Sequence, residues 1–114
     1  MQASLAYAIK YVADMNAAVA FYRDKLGLKL RFESPFWSEF DTGGTTLALH
    51  HASAEHPAGS CSLGFRTPGL HAAYDAREAL GLTFTAPPTP LHGSDIARLL
   101  DSERAEISVS DESN

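Results

Sequence analysis

His50 and Glu39 are the side chains of this sequence best suited to moving a proton. A positioned imidazole or carboxylate serves as a general acid or base, and either can ligate a metal ion. A second set suits ligand binding. Arg66 carries a planar guanidinium that matches a carboxylate or phosphate. Tyr7, Tyr11 and Trp37 supply flat aromatic surface. His92 follows a proline-rich stretch, beside Gly93, where a loop could lie over a cleft as a lid. The remaining reactive types read as structural. Cys61 has no second cysteine to pair with and fits a small buried position at a strand start. His56, between Glu55 and Pro57, reads as surface. No Ser-His-Asp spacing, phosphate loop or Cys-x-x-Cys is present.

The elements that must hold these residues occur twice. Tyr7 to Val12 reads as a strand and runs into an alanine-rich helix that ends at Leu26-Gly27-Leu28. Ser62 to Thr67 reads as a strand and runs into Leu70 to Tyr74, ending at Leu80-Gly81-Leu82. Such a repeat predicts two copies of one module with a cleft between them, and a cleft of that kind favours a small-molecule site. In the first helix Asp14 is the N-cap, and Met15, Ala18, Val19, Tyr22 and Leu26 form one apolar face. Strands are expected over 28–33, 36–41 and 45–50, with Gly43-Gly44 as a turn. A surface loop over 52–60 joins modules of about residues 1–52 and 61–110, within one domain spanning 1–114. In the second module 83–85 reads as a short strand and 86–93, with Pro87, Pro88 and Pro90, as a stiffened loop. The last strands are expected over 96–101 and 105–109. Phe21, Leu47, Leu49, Leu63, Phe65 and Leu80 are expected in the core.

The bulk properties exclude several function classes. A net charge of -5, with the nine Lys and Arg scattered, argues against nucleic acid as a partner. No apolar stretch approaches the roughly 20 residues of a membrane span, and the N-terminus lacks signal-peptide character. Together with the lone cysteine this fits the cytoplasm.

The order βαβββ-βαβββ, with Asp-Met-x-x-Ala-Val-x-Phe-Tyr-Arg-Asp-x-Leu-Gly-Leu at residues 14–28, resembles the vicinal oxygen chelate superfamily. That group includes glyoxalase I, bleomycin-resistance proteins and extradiol dioxygenases. The resemblance implies an α+β fold in which two βαβββ modules form a cupped mixed sheet. In the family's enzymes a divalent metal sits in the cup, held by His, Glu or Gln on the first and fourth strands of each module. The matching positions here carry Tyr7, Ala48, Ser62 and Ser108, so the resemblance implies no metal and no other cofactor. The turn before the last strand also departs from the family's Asp-Pro-Asp-Gly-Asn, reading Asp101-Ser102-Glu103-Arg104-Ala105.

If Ala48 faces the cup, strand parity sends His50 the same way and His51 away. Glu39 faces either the cup, as an acid paired with His50, or solvent. Arg66 shares parity with Ser62 and Gly64, and serves either a ligand anion or a salt bridge. Tyr7 and Tyr11 share one face. The expected function is a metal-free homodimer that binds a small organic molecule, as the bleomycin-resistance branch sequesters its ligand. Two enzymatic readings compete with it. One is a metal-dependent lyase or dioxygenase with non-standard ligands such as His50 and Glu39; the other is metal-free acid–base catalysis by that pair.

Overall fold

Strand β1, Ser4–Val12, begins three residues before the strand expected from sequence. In this computed structural model, which describes residues 1–91 and 93–112, it is followed by helix α1, Met15–Ala20, and strands β2, Lys29–Phe32, β3, Trp37–Asp41, and β4, Thr46–His51. The second copy contains β5, Cys61–Thr67, two short helices α2, Leu70–Asp75, and α3, Arg77–Leu80, then β6, Phe84–Leu91, β7, Ser94–Leu100, and β8, Glu106–Asp111. The chain divides into two compact units, Ala6–Ser62 and Met1–Leu5 with Leu63 onward. No helix among the described residues is long and apolar enough to cross a membrane.

Both units are built alike, and the class is α+β with mixed sheets. In the first, β1 pairs parallel with β4, and β3 pairs antiparallel with both β4 and β2. In the second, β5 pairs parallel with β8, and β7 pairs antiparallel with both β8 and β6. The parallel pairs require a crossover, and the helices supply it.

Each helix covers one face of its own sheet. Met15 and Val19, four residues apart on α1, pack with Phe40 and Leu49, and Leu47 and Val12 lie against them. In the second unit Leu70 packs with Ala97, Leu99 and Val109, flanked by Phe65 and Ile107. Side chains alternate along a strand, so filling the helix side with residues 47 and 49, or 107 and 109, sends their neighbours to the opposite face. Asp14 accepts the Ala17 N–H at 3.0 Å and starts α1 as its N-cap.

Several expectations need correction. Regular helix ends at Ala20, and Phe21–Lys25 continue as one wider π turn, closed by the Leu26 N–H on the Phe21 carbonyl at 3.3 Å. The wider turn breaks the 3.6-residue register, so Phe21 and Leu26 rotate out and are 50% and 56% exposed. The second helix breaks at Ala76, and Leu80 beyond it is also exposed. Leu63 and Cys61 are exposed as well, because the pairing of β5 with β8 begins only at Gly64.

The proline-rich stretch is a strand, not a loop. Among the described residues β6 pairs only with β7, so it is an edge strand that needs ladder donors on one side only. Proline is admissible there, and the register slips between Phe84 and Ala86 and again between Ala86 and Thr89.

Candidate functional site

In the first unit the face opposite α1 is set by register. Tyr7 lies across from Thr46, Ile9 from Ala48 and Tyr11 from His50. On the other side of β4, Glu39 lies across from Ala48 and Trp37 from His50. One row of this face is therefore Tyr11, His50 and Trp37, and the next is Ile9, Ala48 and Glu39.

The rings meet. Tyr7 packs edge-on to Trp37 with centroids 5.9 Å apart, and Trp37 edge-on to His50 at 5.8 Å. Tyr11 is tilted against His50 at 5.3 Å. Its other partner is His56, stacked at 4.4 Å with planes 8° apart. Beneath them Ile9, Tyr11 and Ala48 form a small buried cluster, and Ala48 is 0% exposed. The Tyr11 hydroxyl and the Ser62 hydroxyl share a hydrogen bond of 2.9 Å.

Polar groups border the rings. The Trp37 indole N–H donates to Glu39 Oε2 at 2.8 Å. Arg31 donates from Nη2 to Glu39 Oε1 at 3.0 Å and to the Thr46 hydroxyl at 2.6 Å. Glu39 thus belongs to the aromatic face, but Trp37 and Arg31 hold it, and among the described residues it makes no hydrogen bond to His50. His50 Nδ1 lies 2.7 Å from the His51 carbonyl. A carbonyl only accepts, so in the neutral ring Nδ1 carries the proton and Nε2 keeps a lone pair for a ligand or proton. His51 points elsewhere, with its ring edge-on to Phe36.

The structure therefore brings Tyr7, Tyr11, Trp37, His50 and Glu39 together. Arg66 is half-buried on β5 of the second unit, across from Ser110, with no ion pair among the described residues. Arg98 lies across β8 from the Gly64–Ser108 pair, on the side away from α2. His92 lies outside the described residues.

Sequence reasoning missed two members of the face. His56 is half-buried, not surface, because the Gly59 N–H bonds the Tyr11 carbonyl at 2.8 Å and the Tyr11 N–H bonds the Ser60 carbonyl at 2.9 Å, folding the linker back beside β1. No local pattern announces such long-range pairing. Arg31 sits among alternating charges that read as a solvent face. The clue was an opposite charge, Glu39, on the adjacent strand.

The positions where the resemblance would place metal ligands do not fit a divalent ion. Ala48 offers no donor atom and is sealed under the rings. The Ser62 hydroxyl is committed to Tyr11, and Tyr7 packs on Trp37. Ser108 lies across from Gly64 and Arg98. Among the described residues no three His, Cys, Asp or Glu side chains converge as a metal site. Neither of two open hollows among the described residues is lined by these rings. The open hollow of the first unit lies by the start of α1, lined by Asp14, Met15, Glu33, Ser34 and His51. That of the second is lined by Phe65, Leu82, Leu99, Ile107 and Arg104, among others. The rings form a platform, which suits stacking of a flat molecule.

Two βαβββ-type units, each with helix packed on one sheet face, define a known α+β class. The family model of the Glyoxalase/Bleomycin resistance protein/Dioxygenase superfamily matches residues 4–106, and the chain belongs to that superfamily. Among solved structures, a hypothetical protein from Bacillus halodurans C-125 is similar at 13% identity and TM-score 0.82, covering 100% of this chain and 97% of that one. The methylmalonyl-CoA epimerase of Streptomyces coelicolor, solved as a point variant, is similar at 19% identity and TM-score 0.72, covering 96% and 97%. The methylmalonyl-CoA epimerase of Mycobacterium tuberculosis is similar at 17% and 0.73, covering 96% and 88%. At these identities the likeness is one of fold. No curated protein matches the chain by sequence.

Proposed function

We propose that the chain is a metal-free small-molecule-binding protein that holds a planar organic ligand against the aromatic face of its first unit. The observation that carries this reading is the gathering of Tyr7, Tyr11, Trp37 and His50 above Ala48, where the superfamily's metalloenzymes would need a ligand. Stacking on such rings needs no metal and no proton transfer. The protein sequesters its ligand, as the bleomycin-resistance branch does.

The test uses Trp37, the single tryptophan of the chain, whose fluorescence reports events on the face itself. Planar aromatic compounds should change that emission saturably. Protein purified without a histidine tag should carry no stoichiometric zinc, nickel, manganese or iron, because a true site of roughly 10 kcal/mol or more would survive gel filtration. One equivalent of any of these metals would overturn the reading.

A second reading, metal-free acid–base catalysis, draws on one observation: His50 is exposed and its Nε2 makes no hydrogen bond among the described residues. A turnover lost by on the order of 100-fold in His50→Ala, with the fold intact, would favour it.

We also propose that the protein is a homodimer. Phe32 and Phe36 are 52% and 69% exposed in the first unit, and Phe21 and Leu26 of the same unit are exposed as well. So many large apolar side chains on one small unit favour burial against a second copy. Light scattering should report twice the 12.3 kDa chain mass at micromolar concentration. A monomer would refute the dimer.

A further inference from the structure

We infer that Arg31 makes the aromatic face selective for planar ligands that carry a carboxylate; this rests on the binding role just proposed and names the class of ligand. Three observations support it. First, Arg31 sits at a break in strand register. Leu30 pairs with Phe40 and Phe32 with Glu39, so Arg31 is an extra residue on β2. Leu30 packs on the helix side, so alternation turns Arg31 to the opposite face, where its guanidinium reaches Glu39 and Thr46.

Second, the guanidinium is held in place but not used up. Nη2 donates to Glu39 and Thr46, while Nε and Nη1 have no hydrogen-bond partner among the described residues. Glu39 is itself fixed by the Trp37 indole at 2.8 Å. The free N–H groups are thus tied through Glu39 to the ring on which a ligand would stack. A guanidinium stays protonated at any working pH, and its planar fork suits a carboxylate.

Third, the exposures of the ion pair are unequal. The Arg31 side chain is 46% exposed and that of Glu39 21%. A ligand arriving from solvent meets the cation first, and both Glu39 oxygens already accept hydrogen bonds. Within the first unit, Arg31 is the guanidinium that hydrogen-bonds to the aromatic face.

The experiment compares benzoate with benzamide, which share a ring and nearly a shape but differ in charge. Trp37 fluorescence is the readout. Wild-type protein should bind benzoate more tightly by about tenfold or more, the usual effect of a charge-assisted hydrogen bond. The preference should shrink as salt is added. Arg31→Ala should abolish it, with a loss for benzoate at least several-fold larger than any loss for benzamide, and Arg31→Lys should retain part of it. Should Arg31→Ala fail to fold, Arg31→Lys and the salt series on wild type decide. Equal affinity of wild type for the two probes, or equal losses of both in Arg31→Ala, would overturn the role of Arg31 while the aromatic platform stands. Saturable binding of neither probe would overturn both.

Discussion

Phe40→Ala is expected to lower the free energy of unfolding by about 3–5 kcal/mol, the range for deleting a buried phenyl ring. Phe40, on β3, is 0% exposed and packs with Met15, Val19 and Leu49. The Tyr22 ring lies 6.0 Å away. α1 and the sheet meet through this ring, so its removal leaves a cavity that neither element can close alone. Domains of this size are stable by about 5–15 kcal/mol, so the variant approaches the threshold of folding. Urea unfolding checks the claim through a fall in midpoint at unchanged slope. Leu80→Ala is the control: Leu80, just before Gly81 in the second unit, is 48% exposed, and its loss should cost about 1 kcal/mol or less. Similar losses in the two variants would mean that the helix and sheet do not meet as described.

Ala48→Glu is the second large effect, and it bears on the metal question. It places a carboxyl where the resemblance expects a metal ligand, at a position 0% exposed beside Ile9, Tyr11 and Trp37. Burying a carboxylate there without a partner should cost about 3 kcal/mol or more at neutral pH. The cost should depend on pH. Burial raises the native carboxyl's pKa above its unfolded value of about 4.3. Below that value the group is neutral in both states. Above it the unfolded state ionises first, so the deficit relative to wild type widens by about 1.4 kcal/mol per pH unit until the native group ionises too. Thermal unfolding at acidic and neutral pH, with and without zinc, reads both effects. Zinc should not rescue the variant, since Tyr7 and Ser62 remain poor ligands. A rise in melting temperature with zinc would show that the face still holds a metal site.

Strand parity made much of this protein legible without coordinates. Tyr7 with Tyr11, and Ala48 with His50, share a face because successive side chains of any strand alternate, and that alternation is local. The same holds for the Asp14 cap and the apolar spacing of Met15 and Val19. The Leu-Gly-Leu repeat marked two copies of one element order for the same reason.

What needed the folded chain is whatever depends on a partner distant in sequence. Pro87, Pro88 and Pro90 look like loop residues until β6 proves to be an edge strand with one neighbour. Phe21 and Leu26 look like core until the π turn carries them outward. Glu39 could have paired with His50; the Trp37 indole and Arg31 claim it instead. His56 joined the face because Gly59 and Ser60 bond the backbone of Tyr11, and Arg31 because β2 pairs with β3 beside Glu39. Local sequence sets which way a side chain points along its own strand. Which neighbour it then meets is set by register, bulges and long-range backbone bonds, and those exist only once the chain has closed on itself.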